Sequence, residues 1–302
     1  MMEIQKNQNF TWIDIVNPTK NDMDYLVENY DFHSLDIEDC LSKVQRSKFE
    51  EYDDYKFIVL HFPVLTRKSY RLSIEEIDIF WGKNYLVTIH SNRFSKLLDL
   101  FILVKNNENY NNNYFSKGCD YLLYKIIHDM INMIFPIMNQ ISHEIDLIDS
   151  NLDTMKPQLI IERISALRRN IIFLQTSLKP QRAIFNIFEN QLKDQEEKDM
   201  DIYWGDIGDY ILKILETAED YQELIEGLYS SIDTLLTFRT NDSIKTLTIF
   251  SVIMLPLTLI TSFYGMNVAL PLAENKIAAY IIFGSMIAIS LAMIVYFKIK
   301  KI

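Results

Sequence analysis

Cysteine is almost missing from this chain. Only Cys40 and Cys119 occur in 302 residues, too few for a disulfide framework and in no metal-ligand spacing. Both are expected to be reduced, buried thiols. Histidine is as thin. His33, His61, His90, His128 and His143 are scattered, with no spacing that sets two imidazoles on one metal or beside a nucleophile. Each is read as structural, and no enzyme is expected. No Gly-x-x-x-x-Gly-Lys-Ser/Thr stretch occurs, so no nucleotide-driven pump is expected either. A basic face is lacking too: 30 Lys and Arg stand against 41 Asp and Glu, a net charge of −11, which excludes nucleic acid as a partner. No apolar stretch follows Met1, so no signal peptide is expected.

Charge of either sign is missing from two stretches near the end. Thr246 to Met266 and Ile277 to Phe297 hold no Asp, Glu, Lys or Arg over 21 residues each. About 20 apolar residues suffice for a helix to cross a bilayer core of roughly 30 Å. The link between them is short, so the two spans form a hairpin with both ends on one side. Arg239 and Lys245 precede the first span, and Lys298, Lys300 and Lys301 follow the second. The positive-inside tendency then puts both termini in the cytoplasm, making a multi-pass protein of the cell (inner or plasma) membrane. From Asn241 onward bases outnumber acids, five to two. The acidic excess therefore lies wholly in the first 240 residues, as suits a soluble part that collects cations.

The first hundred residues read as mixed α/β. Strands are expected at Phe10 to Ile15 and Lys56 to Leu65, and a hairpin from Ile74 to Trp81 and Tyr85 to His90 around Gly82-Lys83-Asn84. Helices are expected from Thr19 to Asn29 and from a Ser34 cap to Leu41. Residues 106–114, rich in asparagine, read as a loop or frayed helix end. From Gly118 the pattern is helical. One helix is expected from Cys119 to about Thr154 with a kink at Pro136, and a second after Pro157 to about Gln195. Proline is then absent until Pro256, which points to one helix from about Asp206 through Gly265. At 1.5 Å per residue it spans roughly 90 Å and needs neighbours along its length. The expected organisation is an α+β cytoplasmic domain over 1–118, a long-helix stalk over 119–244 and a two-helix transmembrane hairpin over 245–302.

Stepping about 3.5 residues from Asn241 along the first span gives Ile244, Thr248, Ser251, Leu255, Thr258, Ser262 and Gly265. Small polar residues recur on that stripe. It suits the lining of a pore and equally an ordinary helix–helix interface in a membrane. At the end of the span stands Tyr264-Gly265-Met266-Asn267, with Pro256-Leu257-Thr258 upstream. In these residues the chain resembles the CorA family of divalent-cation transporters, whose signature is Gly-Met-Asn at this place. Asn241, Lys245 and Leu247-Thr248 resemble its inner pore entrance.

The resemblance implies a homopentamer in which the first span lines the pore and the second faces lipid. Gly265, Met266 and Asn267 would then form the selectivity filter, with Asn241 about 39 Å away at the inner mouth. Ile244 and Leu247 would be the apolar gate. It further implies closure when intracellular Mg²⁺ binds acids between subunits. Asp206 falls at the family's long-helix regulatory position, with Asp209 one turn on. The partner of Asp206 stays open among Glu75, Glu76 and Asp78.

Mg²⁺ holds its waters tightly, and neutral amide oxygens at the mouths suit a hydrated ion that must enter and leave. The span has no Asp, Glu, His or Cys to ligate a softer metal directly. Mg²⁺ is therefore the expected cargo, with Co²⁺, Ni²⁺ and Zn²⁺ as alternatives. A membrane-tethered scaffold or signalling protein is the alternative of another class. The family's Met-Pro-Glu after Gly-Met-Asn is replaced here by residues 268–276, which keep Pro271 and one acid, Glu274, followed by Lys276.

Overall fold

The structure is a computed structural model that describes residues 1–6, 10–42, 45–65, 71–115, 118–192, 198–266 and 276–300. It divides into two compact units, Met1–Tyr229 and Ser230–Ile302.

The first unit is built on six strands: β1 (Met2–Lys6), β2 (Thr11–Val16), β3 (Lys48–Glu51), β4 (Tyr55–Leu65), β5 (Leu72–Gly82) and β6 (Tyr85–His90). Their order is β1-β2-β6-β5-β4-β3. Among the described residues, only the β2–β6 pairing is parallel. The β-rich runs expected from the sequence are the central strands. They are buried on both faces, which is why they read as nearly continuous apolar stretches. The two edges, β1 and β3, carried no sequence signal because they are short, half-exposed and partly charged.

On one face lie α1 (Lys20–Asn29) and α2 (Ser34–Leu41). Thr19 caps α1 in a reciprocal box with Asp22. The cap of α2 is His33 rather than the expected Ser34: its Nδ1 accepts from the Leu35 amide at 3.3 Å, and Ser34 is already the first helical residue. Met23 and Leu26 of α1 and Ile37 and Cys40 of α2 close over Ile13, Ile15, Val59, Phe80 and Ile89 of the sheet.

The other face is covered by α3 (Ser95–Asn106), α4 (Glu108–Phe115), α5 (Cys119–Asn132), α6 (Ile134–Ser150), α7 (Pro157–Leu192) and the start of α8 (Lys198–Tyr264). The asparagine-rich stretch is helical as α4, not a loop. Asn107 accepts from the Asn109 amide. Tyr114 and Phe115 are buried, Phe115 stacked on Phe10 at 4.5 Å, and that burial overrides weak propensity. The expected helix from Cys119 to Thr154 is two helices broken at Met133. Pro136 cannot offer an amide to the Asn132 carbonyl, so the break falls one turn before it. Pro180, by contrast, is carried inside α7. Cys40 and Cys119 are free and buried, as expected, and burial pushes both thiols up, away from the thiolate.

Trp204 near the start of α8 is fully buried among Phe185 and Phe188 of α7 and Trp81 of β5. Trp204→Ala is expected to destabilise the first unit by about 3–5 kcal/mol. Thermal unfolding of the detergent-solubilised protein, followed by far-ultraviolet circular dichroism, reads this as a lowered transition.

Candidate functional site

The second unit contains the end of α8 and α9 (Lys276–Ile299). These are the two helices, among the described residues, long and apolar enough to cross a membrane. Beyond Ile232 no described residue is buried.

Each helix nevertheless has one half-buried stripe. On α8 it is Ile249, Ile253, Pro256, Leu257 and Ile260; on α9 it is Ile282, Met286, Ile289, Ser290, Met293 and Phe297. Steps of three and four mark a single helical face, as two helices leave on each other when they touch along one side. At about 100° per residue, the stripe of Asn241, Ile244, Thr248, Ser251, Leu255, Thr258 and Ser262 lies on roughly the opposite side of α8. All seven are exposed, as is Leu247. The polar stripe is therefore turned away from the half-buried face of α8.

Three of the four hydroxyls on that stripe are bonded in one way. Thr248 donates to the Ile244 carbonyl at 2.8 Å, Ser251 to Leu247 at 2.9 Å and Thr258 to Met254 at 2.9 Å. With the protons used on the backbone, each oxygen offers only lone pairs outward. Such oxygens can accept from the waters around a cation and offer nothing to an anion.

Helix α8 ends at Tyr264. Gly265 still donates to the Thr261 carbonyl at 2.9 Å, and a Cβ at Gly265 would stand 3.0 Å from that same oxygen. Asn267, Pro271 and Glu274 lie outside the described residues.

In the first unit, Asp206 on α8 is half-buried and accepts from the Tyr124 hydroxyl at 3.3 Å. Burial first, then the Asp206 charge, raises the Tyr124 phenol. Asp209 is exposed. The three acids considered as partners for Asp206 are engaged elsewhere or inaccessible. Glu75 binds Ser91 and Arg93, Glu76 binds His61 and the Gln45 amide, and Asp78 is buried. Among the described residues no three His, Cys, Asp or Glu side chains gather as a metal site within one copy requires.

Two polar networks carried no sequence signal, because their members are far apart in the chain. Asp14, Thr88, His90 and Trp12 form one inside the sheet's helical side. In the other, Tyr52 and Tyr55 donate to the buried Asp36, and Lys48 reaches Asp36, Asp39 and Glu50. Burial raises the Asp36 carboxyl. Lys48 holds Glu50 below its ordinary value against a desolvation that acts the other way.

An α/β unit, a helix that runs on from it without a break, and an apolar pair bearing a hydroxyl stripe describe the class of proteins with an α/β unit and two C-terminal candidate membrane spans. A family model described as CorA-like Mg²⁺ transporter protein matches residues 7–301. The cobalt/magnesium transport protein CorA of Thermotoga maritima is 29% identical over 294 residues, covering 96% of this chain and 83% of that protein. The complete CorA magnesium transporter structure from Methanocaldococcus jannaschii superposes with a TM-score of 0.83 at 21% identity, covering 97% and 92% of the two chains. The full-length CmaX structure gives 0.74 at 17% identity, over 96% and 88%. The chain belongs to the CorA-like Mg²⁺ transporter protein family.

Gly265→Ala crowds the Thr261 carbonyl and is expected to cost about 1–3 kcal/mol at the helix end. Divalent uptake by cells should fall while the amount of protein in the membrane stays constant; unchanged uptake contradicts a functional helix end at Gly265.

Proposed function

We propose that the chain is a passive divalent-cation channel of the cell membrane, with Mg²⁺ as principal cargo and Co²⁺ as a second. The observation that carries the reading is the stripe of outward lone pairs on α8, opposite the face it turns to α9, in a chain of this family. One copy cannot enclose a path with two spans, so a homo-oligomer is required, and five copies follow the family resemblance. The stripe from Asn241 to Ser262 lines the path. Asn267, with Gly265 and Met266, receives the hydrated ion at the outer lip. Ile244 and Leu247 ring the inner end, where aliphatic side chains exclude the water an ion needs.

The basic residues flanking the spans favour cytoplasmic termini, so the membrane potential pulls cations inward. Moving two charges through 100 mV is worth about 4.6 kcal/mol, enough to drive uptake without a pump and reason enough for a shut-off. Asp206 and Asp209 supply it. Carboxylates facing another copy repel when empty, and a Mg²⁺ that bridges them favours the closed assembly. The bridge needs a second copy, because no acid cluster gathers among the described residues of one.

Flux into proteoliposomes tests the reading. The native protein is expected to pass Mg²⁺, to slow as internal Mg²⁺ accumulates, and to lose transport with Asn267→Ala. Asp206→Asn should keep transport but need several-fold more internal Mg²⁺ to slow. A native protein that passes neither Mg²⁺ nor Co²⁺ overturns the channel. Passage of Zn²⁺ or Ni²⁺ in preference overturns the choice of cargo.

A further inference from the structure

Asp78 lies in the first unit, on β5, and its position is unusual for a carboxylate. It lies on β5 opposite Val59 of β4 and Ile89 of β6, both in the apolar cluster beneath α1 and α2. It is 5% exposed. Its Oδ1 has no hydrogen-bond partner. The group that reaches the carboxyl is the thiol of Cys40 on α2.

We propose that Asp78 is a proton-binding site: the folded domain holds this carboxyl in its neutral acid form, and that proton keeps α2 seated on the sheet.

Among the described residues, the charges around it favour no other occupant. From α2 comes Asp39, from β3 Lys48, and from its own strand Glu76, which binds His61 of β4. Lys48 in turn holds Asp36 of α2 and Glu50 of β3. Lys48 is the cation that acts on it, and Lys48 is already shared by Asp39 at 2.7 Å, Glu50 at 3.2 Å and Asp36 at 3.8 Å. A carboxylate here would add a further negative charge to three acids that divide one lysine, with one oxygen bare in an apolar layer. Asp36, equally buried, differs: two tyrosine hydroxyls donate to it. A metal ion would need several oxygen ligands converging on it, whereas a proton needs only the carboxyl itself.

Burial first and the Glu76 charge next push Asp78 well above the ordinary aspartate value. The unfolded chain has an ordinary aspartate. Between the two values the folded state binds the extra proton, so stability falls as pH rises through that window. When the proton leaves, the charge sits directly under Cys40, on the helix that carries Asp36 and Asp39. The expected response is a loosening of α2, with β1 and α7 little affected.

Infrared spectra of the full-length protein in detergent test this, recorded across neutral to alkaline pH for the native chain, Asp78→Asn and Asp36→Asn. A protonated-carboxyl C=O band is expected at neutral pH in the native protein. It should be retained in Asp36→Asn, missing in Asp78→Asn, and bleached on alkalinisation. In thermal unfolding, the advantage of Asp78→Asn over the native chain should grow with pH. Should Asp78→Asn not fold, Asp78→Ser serves as the neutral variant, and the native and Asp36→Asn titrations stand alone. Absence of the band at neutral pH in the native protein overturns the proposal. So does a band that follows Asp36 instead, or parallel stability profiles for native and neutral variants.

Discussion

The structure depends on how its apolar surface is covered. In the first unit, α8 buries Trp204, Ile207, Ile211, Ile214 and Leu215, and the protein itself supplies the cover. Past Ile232 the same helix goes on, rich in Leu, Ile and Phe, with no described residue buried. Water cannot be its surroundings, because exposed apolar patches on soluble proteins are far smaller. A lipid core satisfies the apolar side chains. It also demands that every backbone group be paired within the segment, and a helix does that. One uninterrupted helix therefore meets two opposite solvents, and the change of partner along it is written in side chains rather than in backbone.

That constraint sorts the residues of the apolar pair. Lipid suits the aliphatic majority. Ile249, Ile253, Leu257 and Ile260 are half-buried along one face of α8, and Thr248, Ser251 and Thr258 are exposed on the other. Hydroxyls tolerate a membrane when they bond their own backbone, so bonding alone does not require a pore. Their alignment on the exposed face of α8, opposite its half-buried face, is what favours a polar neighbour there, as the proposed oligomer would supply.

Legibility followed physics. The central strands, α1 and the two spans were readable because a single cause, burial on both faces or a lack of charge over a span, set their pattern. The Gly265-Met266-Asn267 tripeptide was readable as a family motif. Edges β1 and β3 were not, because pairing rather than side-chain pattern makes them strands. Helix α4 was hidden because Tyr114 and Phe115 gain their burial from Phe10 and the facing helices. The break at Met133 appeared as a kink at Pro136, since the sequence shows the proline but not which carbonyl loses its donor. Asp206 was named through the family resemblance, and its contact with Tyr124 left no trace in the sequence because the two residues lie far apart in the chain. Asp78 was read as one of three candidate partners for Asp206, because nothing local distinguishes a strand position facing Cys40 from one facing water.

The central claim is that the Thr248–Thr258 face of α8 borders a water-filled cation path and the Ile253–Ile260 face does not. Both native cysteines are buried, so single introduced cysteines can be followed with a membrane-impermeant thiol reagent. Ser251→Cys and Thr258→Cys are predicted to react, and to be protected by millimolar Mg²⁺ or Co²⁺. Ile253→Cys and Ile260→Cys are predicted to stay unmodified. Equal labelling of the two faces, or labelling of the isoleucine face alone, would contradict the account.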